Sequence, residues 1–216
     1  MLNVGHDRTA LASMASKVQE GLGRKGIGLI ADRGYYKGTE ILDAEKAGVQ
    51  TYIPKPMTSG SKAEGRFSKA DFVFDAHADV YRCPAGQVLR RGADRIDSDG
   101  MVLHSYARYG CSDCPMKAQC TPASFRRIRR WEHEGFLDDM QQRLDRNPNA
   151  MKIRRRTVEH VFGTLKHWMG STHFLMKTLK QVPTEVSLHV LAYNLKRLMS
   201  LLGIAEAMKA MRFARA

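Results

Sequence analysis

Between residues 26 and 56 the chain reads strand, helix, strand with short connections, and this run constrains the fold more than any other feature. Gly26-Ile27-Gly28-Leu29-Ile30-Ala31-Asp32 is a short apolar run that suits a buried strand. A turn at Gly34 follows, then a helical stretch over about 39–47 that Gly48 stops. Val49-Gln50-Thr51-Tyr52-Ile53 forms a second strand, halted by Pro54 and Pro56. Two strands joined by a helical crossover pair in parallel, so an α/β domain is expected. Ahead of this unit, Leu11, Met14, Val18 and Leu22 recur at helical spacing, which predicts a helix over about 7–22 ended by Gly23.

The pattern changes between residues 57 and 147. Ser59-Gly60-Ser61-Lys62 reads as a loop, and residues 67–74 as a docking or short strand segment. Short apolar pieces near 75–81, 87–89 and 101–106 follow, split by polar turns such as Asp97-Ser98-Asp99-Gly100, with a helical stretch near 132–144. This is a small β-rich insertion, and it contains all four cysteines.

Asn147-Pro148-Asn149 marks the entry to a helix over about 150–169, ended by Gly170. Val158, Val161, Leu165, Trp168 and Met169 fall within one arc of it, the arc expected to face a core. Arg155, Glu159 and Lys166 lie within about 40° of one another on a neighbouring face. Thr184 is the expected N-cap of a last core helix that runs to Leu202 and closes at Gly203.

Charge narrows the classes of partner. Lys and Arg number 35 against 22 acids, a formal charge of +13, and most of the excess lies after residue 120. Arg126, Arg127, Arg129 and Arg130 form the densest cluster, with Lys152, Arg154, Arg155 and Arg156 further on. Such a balance attracts a polyanion, nucleic acid ahead of membrane, although a solvated basic face is the plainer reading. No apolar stretch approaches a membrane span and the N-terminus lacks the pattern of a signal peptide, so a cytoplasmic protein with no membrane partner is expected. No Ser or Cys carries the partners of a catalytic nucleophile, and no Gly-rich stretch matches a phosphate loop. His160 and His167 read as surface or satisfied histidines.

Two carboxylates stand out. Asp32 closes a parallel strand, where α/β folds place their ligand sites, although a turn-capping Asp is the simpler role in isolation. Glu159 has Arg155 one turn back and Lys166 two turns on, which is either a helical charge network or a metal-binding acid between two phosphate-holding cations.

Ala31-Asp32-Arg33-Gly34-Tyr35-Tyr36, the spacing Arg155-x3-Glu159-x6-Lys166, and the late Leu191-Ala192-Tyr193-Asn194-Leu195 together resemble a DDE transposase of bacterial insertion sequences. The resemblance implies a ribonuclease H-like fold, here interrupted by the cysteine-bearing insertion. It divides the chain into residues 1–56, the insertion 57–147, and C-terminal helices 148–216 that complete the domain. It also implies two Mg²⁺ (or Mn²⁺) ions held by two Asp and one Glu. Asp32 would be the second acid and Glu159 the third, with Arg155 and Lys166 on DNA phosphates and Arg126, Arg127, Arg129 and Arg130 adding grip. Element ends and target DNA would be the partners, and a homodimer the working form.

Two departures are informative. Lys152 stands where the family has a Tyr three residues before the Arg. The strand meander that carries the first acid is expected ahead of the opening helix, and the chain begins at about that helix. Asp7 is expected to N-cap the helix rather than replace the acid. The expectation is therefore a truncated, catalytically defective transposase, with a non-catalytic DNA-binding remnant or regulator of transposition as the alternative. A structural or interaction protein with incidental charge is a further rival. Cys83-Pro84-Ala85-Gly86 and Cys111-Ser112-Asp113-Cys114-Pro115 resemble zinc-ribbon knuckles, which with Cys120 would complete a structural Zn²⁺ site, against free or incidental thiols.

Overall fold

The computed structural model describes residues 7–56, 59–170, 172–178 and 180–213. They divide into two compact units, His6–Arg146 and the chain from Asn147 onward, each taken by itself below.

In the first unit, a 3-10 turn at Asp7–Thr9 precedes α1 (Leu11–Leu22). Ala10, not Asp7, occupies the N-cap and gives no side-chain bond. The orphan amides of the first turn are met from elsewhere: the Glu40 carboxylate accepts from the Ala12 N–H at 3.0 Å. At the other end Gly23 takes a left-handed conformation (φ 59°) and Arg24 N–H bonds back to the Gln19 carbonyl, as the glycine stop required.

The parallel unit forms as expected. β1 (Gly28–Ile30) pairs in parallel with β2 (Gln50–Tyr52), Leu29 opposite Thr51, across α2 (Gly38–Lys46). Leu11, Ala31, Ile41 and Ile53 make its core, and a smaller cluster of Ala15, Ala44 and Val49 lies beside them. α5 (Glu134–Arg146) contributes to this core, burying Met140 in it and packing Leu137 against it.

Residues 73–131 form a six-stranded antiparallel sheet. Ser59 caps a single turn, α3 (Gly60–Ala63), where a loop was expected. Then come β3 (Val73–Asp75), β4 (Val80–Arg82), β5 (Val88–Arg91), β6 (Arg95–Ile96) and β7 (Val102–Arg108), followed by the turn α4 (Lys117–Cys120) and β8 (Arg126–Trp131). The strands run β3-β4-β5-β7. β5 and β6 share one edge of β7 at its two ends, and β8 takes the other edge from Leu103 to Arg108. Phe72, Tyr81, Leu89, Tyr106 and Ile128 fill its buried side, with the rings of Tyr81 and Tyr106 edge to face at 5.1 Å.

In the second unit, residues 150–168 run as one helical rod with two widened turns. α6 (Ala150–Arg154) leads into a π turn at Arg155–Glu159, then α7 (His160–Gly163) and a second π turn at Thr164–Trp168. The expected arc is only partly realised: Leu165 is buried, Val158, Val161 and Met169 are half-buried, and Trp168 is 83% exposed. A π turn carries an extra residue, so positions beyond it leave the arc drawn at 100° per residue. α8 (Val182–Leu202) begins two residues before the expected cap, with Gln181 at the N-cap and Pro183 in the first turn. Thr184 is therefore inside the helix. Glu185 accepts the N–H groups of Leu175 (3.0 Å) and Met176 (2.8 Å), which fastens the preceding loop to that turn. After Gly203, α9 (Ile204–Phe213) ends the described chain. Among the described residues no helix is long and apolar enough to cross a membrane.

Candidate functional site

Asp32 lies two residues past the end of β1, next to the buried Ala31, whose N–H still bonds to the Tyr52 carbonyl. The strand thus fixes its backbone. Its half-buried carboxylate accepts the Gly34 N–H at 2.9 Å and caps the 3-10 turn Arg33–Tyr35. Gly34 is part of this geometry: a Cβ there would stand 3.0 Å from Asp32 Oδ1. The Ala-Asp-Arg-Gly run is thus a strand end, a carboxylate and a turn that leaves the carboxylate room.

Glu159 ends the first π turn, with its side chain about half exposed. The i→i+5 closure of such a turn brings residue five back alongside, and Arg154 Nη1 donates to Glu159 Oε1 at 3.3 Å. Arg155 Nε lies 3.8 Å from the other oxygen. Lys166 is exposed on the second π turn. Asp32 and Glu159 belong to different units. Among the described residues, no three His, Cys, Asp or Glu side chains gather closely enough to hold a metal ion.

The arginine cluster is a strand, and strand alternation splits it. Arg126 donates to the carbonyls of Cys120 (3.1 Å) and Phe67 (3.0 Å) and lies over the Phe72 ring. Arg130 is 9% exposed, donates to Asp138 at 2.6 Å and to the Tyr81 hydroxyl, and stacks 4.0 Å over Phe74. Both are engaged in holding the sheet together. Arg127 and Arg129 point the other way and are exposed.

All four cysteines are free thiols, and all four line one cavity of about 360 Å³ beside Leu89 and Arg126. Cys83 heads a tight turn: Gly86 N–H bonds to its carbonyl at 2.8 Å and Gln87 N–H to its sulfur at 3.3 Å. Cys114 N–H likewise closes on the Cys111 carbonyl. Burial pushes the Cys120 thiol up; Arg126 opposes this and the other three sulfurs reinforce it. The thiols share a cavity without converging into a ligand set.

Sequence reasoning missed Gly34 as the carboxylate's neighbour and Arg154 as the nearest cation to Glu159. It also missed the division of the arginines. No alternation in Arg126-Arg127-Ile128-Arg129-Arg130-Trp131 marks the last, because arginines stand on both faces of the strand.

No curated protein and no solved structure matches the chain. A family described as a transposase DDE domain matches residues 82–199, which covers Glu159, the cysteines and most of the antiparallel sheet. That match spans more than half of the 216 residues, and the chain belongs to the transposase DDE-domain family.

Proposed function

We propose that the chain is the transposase of a bacterial insertion sequence, built on a ribonuclease H-like domain, with DNA as its substrate. Membership of the DDE-domain family carries this reading. The parallel pair β1–β2 with Asp32 at its end supports it, as does the arginine-flanked Glu159.

The donor chemistry fits a divalent ion: both residues are carboxylates, the ligands Mg²⁺ and Mn²⁺ prefer. Asp32 and Glu159 would hold such ions, which when bound activate an attacking oxygen and stabilise the leaving one. The remaining roles belong to the chain itself. Arg154 and Arg155 hold the Glu159 carboxylate in place, and with Lys166 they bind phosphate when DNA arrives. Arg127 and Arg129 add sequence-independent grip, whereas Arg126 and Arg130 do not. Asp32 and Glu159 are one acid fewer than the centre implied by the family resemblance, and without a third acid they bind ions but do not cleave DNA. The intact enzyme would pair as a homodimer on element ends. The four cysteines that line the shared cavity would hold a structural Zn²⁺, which would tie the two cysteine-bearing turns together.

The experiment is calorimetric titration of Mn²⁺ into wild type, Asp32→Ala and Glu159→Ala, each with its melting curve. It is run beside nicking of supercoiled DNA. We expect ion binding that both substitutions abolish, and no nicking. Ion binding indifferent to both residues would remove them from the site. Robust nicking abolished by Asp32→Ala would overturn the defective reading. Zinc analysis of reduced, folded protein decides the cysteine assignment, and a metal-free result rejects it.

A further inference from the structure

The antiparallel sheet has one face against its aromatic core; the other is covered at Trp131, which packs on Gly38 of α2, and its exposed part is studded with arginines. Side chains of cross-strand partners share a face, and alternate residues along a strand share it too. Arg127 pairs with Ala107 and Arg129 with Ser105. Ala107 also pairs with Arg90, and Leu103 with Arg95. Arg90 is opposite Val80, two residues from Arg82. Arg82, Arg90, Arg95, Arg127 and Arg129 therefore project from the same side, and all five are exposed.

Small residues in the middle strand shape this face. Ser105 and Ala107 leave a shallow groove of about 370 Å³ whose walls include Arg95, Arg127 and Arg129. Counter-charge is scarce. Asp75 lies 3.7 Å from Arg82, and Asp94, at the groove's rim, is taken up by Arg91 and His104. Among the described residues, Arg90, Arg95, Arg127 and Arg129 have no acidic partner within 4.0 Å.

An exposed sheet face in an ordinary monomer is polar with both signs interspersed. A single-sign field of guanidinium groups instead complements a regular array of phosphates, which Arg binds in bidentate fashion. We infer that this face is a docking surface for the phosphate backbone of duplex DNA, separate from the strand end of Asp32 and from Glu159. The inference rests on the transposase reading for its choice of polyanion. Binding of this kind reads no sequence; it holds and orients the duplex, and its strength falls with salt.

The test is fluorescence anisotropy of the full chain with a labelled duplex of about 30 base pairs and arbitrary sequence, over a series of salt concentrations. The variants are Arg127→Glu/Arg129→Glu and Arg90→Glu/Arg95→Glu. A Lys17→Glu/Arg24→Glu control imposes the same charge change on α1 and the turn behind it. We expect each face variant to bind at least ~10-fold more weakly, and the slope of log K against log salt to flatten by about 0.9 for each phosphate no longer neutralised. The control should stay within ~3-fold of wild type. If a glutamate pair melts early, the glutamine pair at the same positions gives the same reading with less repulsion.

Wild-type affinity with face variants no weaker than the control would overturn the surface and leave the transposase reading standing. No wild-type affinity for duplex at any salt would overturn both. Retention on anionic vesicles without duplex binding would assign the face to a membrane and overturn the inference as well.

Discussion

Arg129 and Arg130 are neighbours in sequence with opposite surroundings. Arg130 is buried between Tyr81, Phe74 and Asp138, so its loss strands the Tyr81 hydroxyl and removes a cation from an aromatic face. Asp138 is half exposed and can be rehydrated, which limits the ionic part of the loss. Arg130→Ala should therefore cost about 2–3 kcal/mol, chiefly from packing and the orphaned hydroxyl. Arg129→Ala should cost under ~0.5 kcal/mol. Urea unfolding of the two variants checks this, and equal losses would refute the split. Gly34 offers a second contrast. An added methyl meets only the end of the Asp32 side chain, so Gly34→Ala should leave the melting temperature within ~2 °C of wild type. It should nonetheless weaken divalent-ion binding several-fold by moving the carboxylate, as calorimetry would report.

At the scale of elements, the sharpest fit is between α2 and β8. A Cβ on Gly38 would lie 3.0 and 3.3 Å from two carbons of the buried Trp131 indole, a rigid ring with nowhere to turn. Gly38→Ala gains about 1 kcal/mol of helix propensity. Overpacking costs about 1–3 kcal/mol, and at this distance it wins. We expect net destabilisation by thermal melting, with Gly38→Ala/Trp131→Phe recovering part of it. The same strand shows what was legible beforehand. The parallel unit could be read because Leu29, Ile30 and Ile53 are apolar where strands are buried, and because Gly23 and Gly48 end helices by a local backbone requirement. β8 could not be read as a strand by hydrophobic alternation, because two of its inward positions are Arg126 and Arg130, solvated there by carbonyls, a hydroxyl and rings rather than by water. The π turns were equally hidden: Trp168 lies on the core arc only if every turn is an α turn. The places of Asp32 after a strand and of Glu159 on a helix could each be read from its own stretch of sequence. Nothing in either stretch encodes where the other lies, since that depends on packing between distant segments.

At the scale of the whole molecule, acid is the condition that should expose what holds each unit together. The Asp79 carboxyl is held below the usual carboxylate range by the Tyr106 hydroxyl and, next, by Arg91. Asp94 is lowered by Arg91 and His104, and Glu185 by the N–H groups of Leu175 and Met176. Each folded-state value lies below its unfolded one. Between the two values the unfolded chain binds more protons, so stability rises with pH there. The contribution is complete above the ordinary carboxylate range near pH 4 and is lost as pH falls through the depressed values. The formal charge of +13 acts in the same direction, because each neutralised carboxylate raises self-repulsion in a chain already strongly positive. Unfolding free energy measured in urea should thus be flat from about pH 5 to 7 and fall steeply below about pH 4. Asp79→Asn keeps the side chain's shape and its tolerance of the left-handed backbone at this position (φ 49°), but removes the titrating group. It should lower stability at pH 7 and make the decline into acid shallower, so that the two curves converge at low pH. Curves that stay parallel from pH 7 to 3 would mean that Asp79 contributes nothing through its charge. The acid lability would then lie with Asp94, Glu185 and Asp71, which the Ser68 hydroxyl and N–H also hold below the usual carboxylate range.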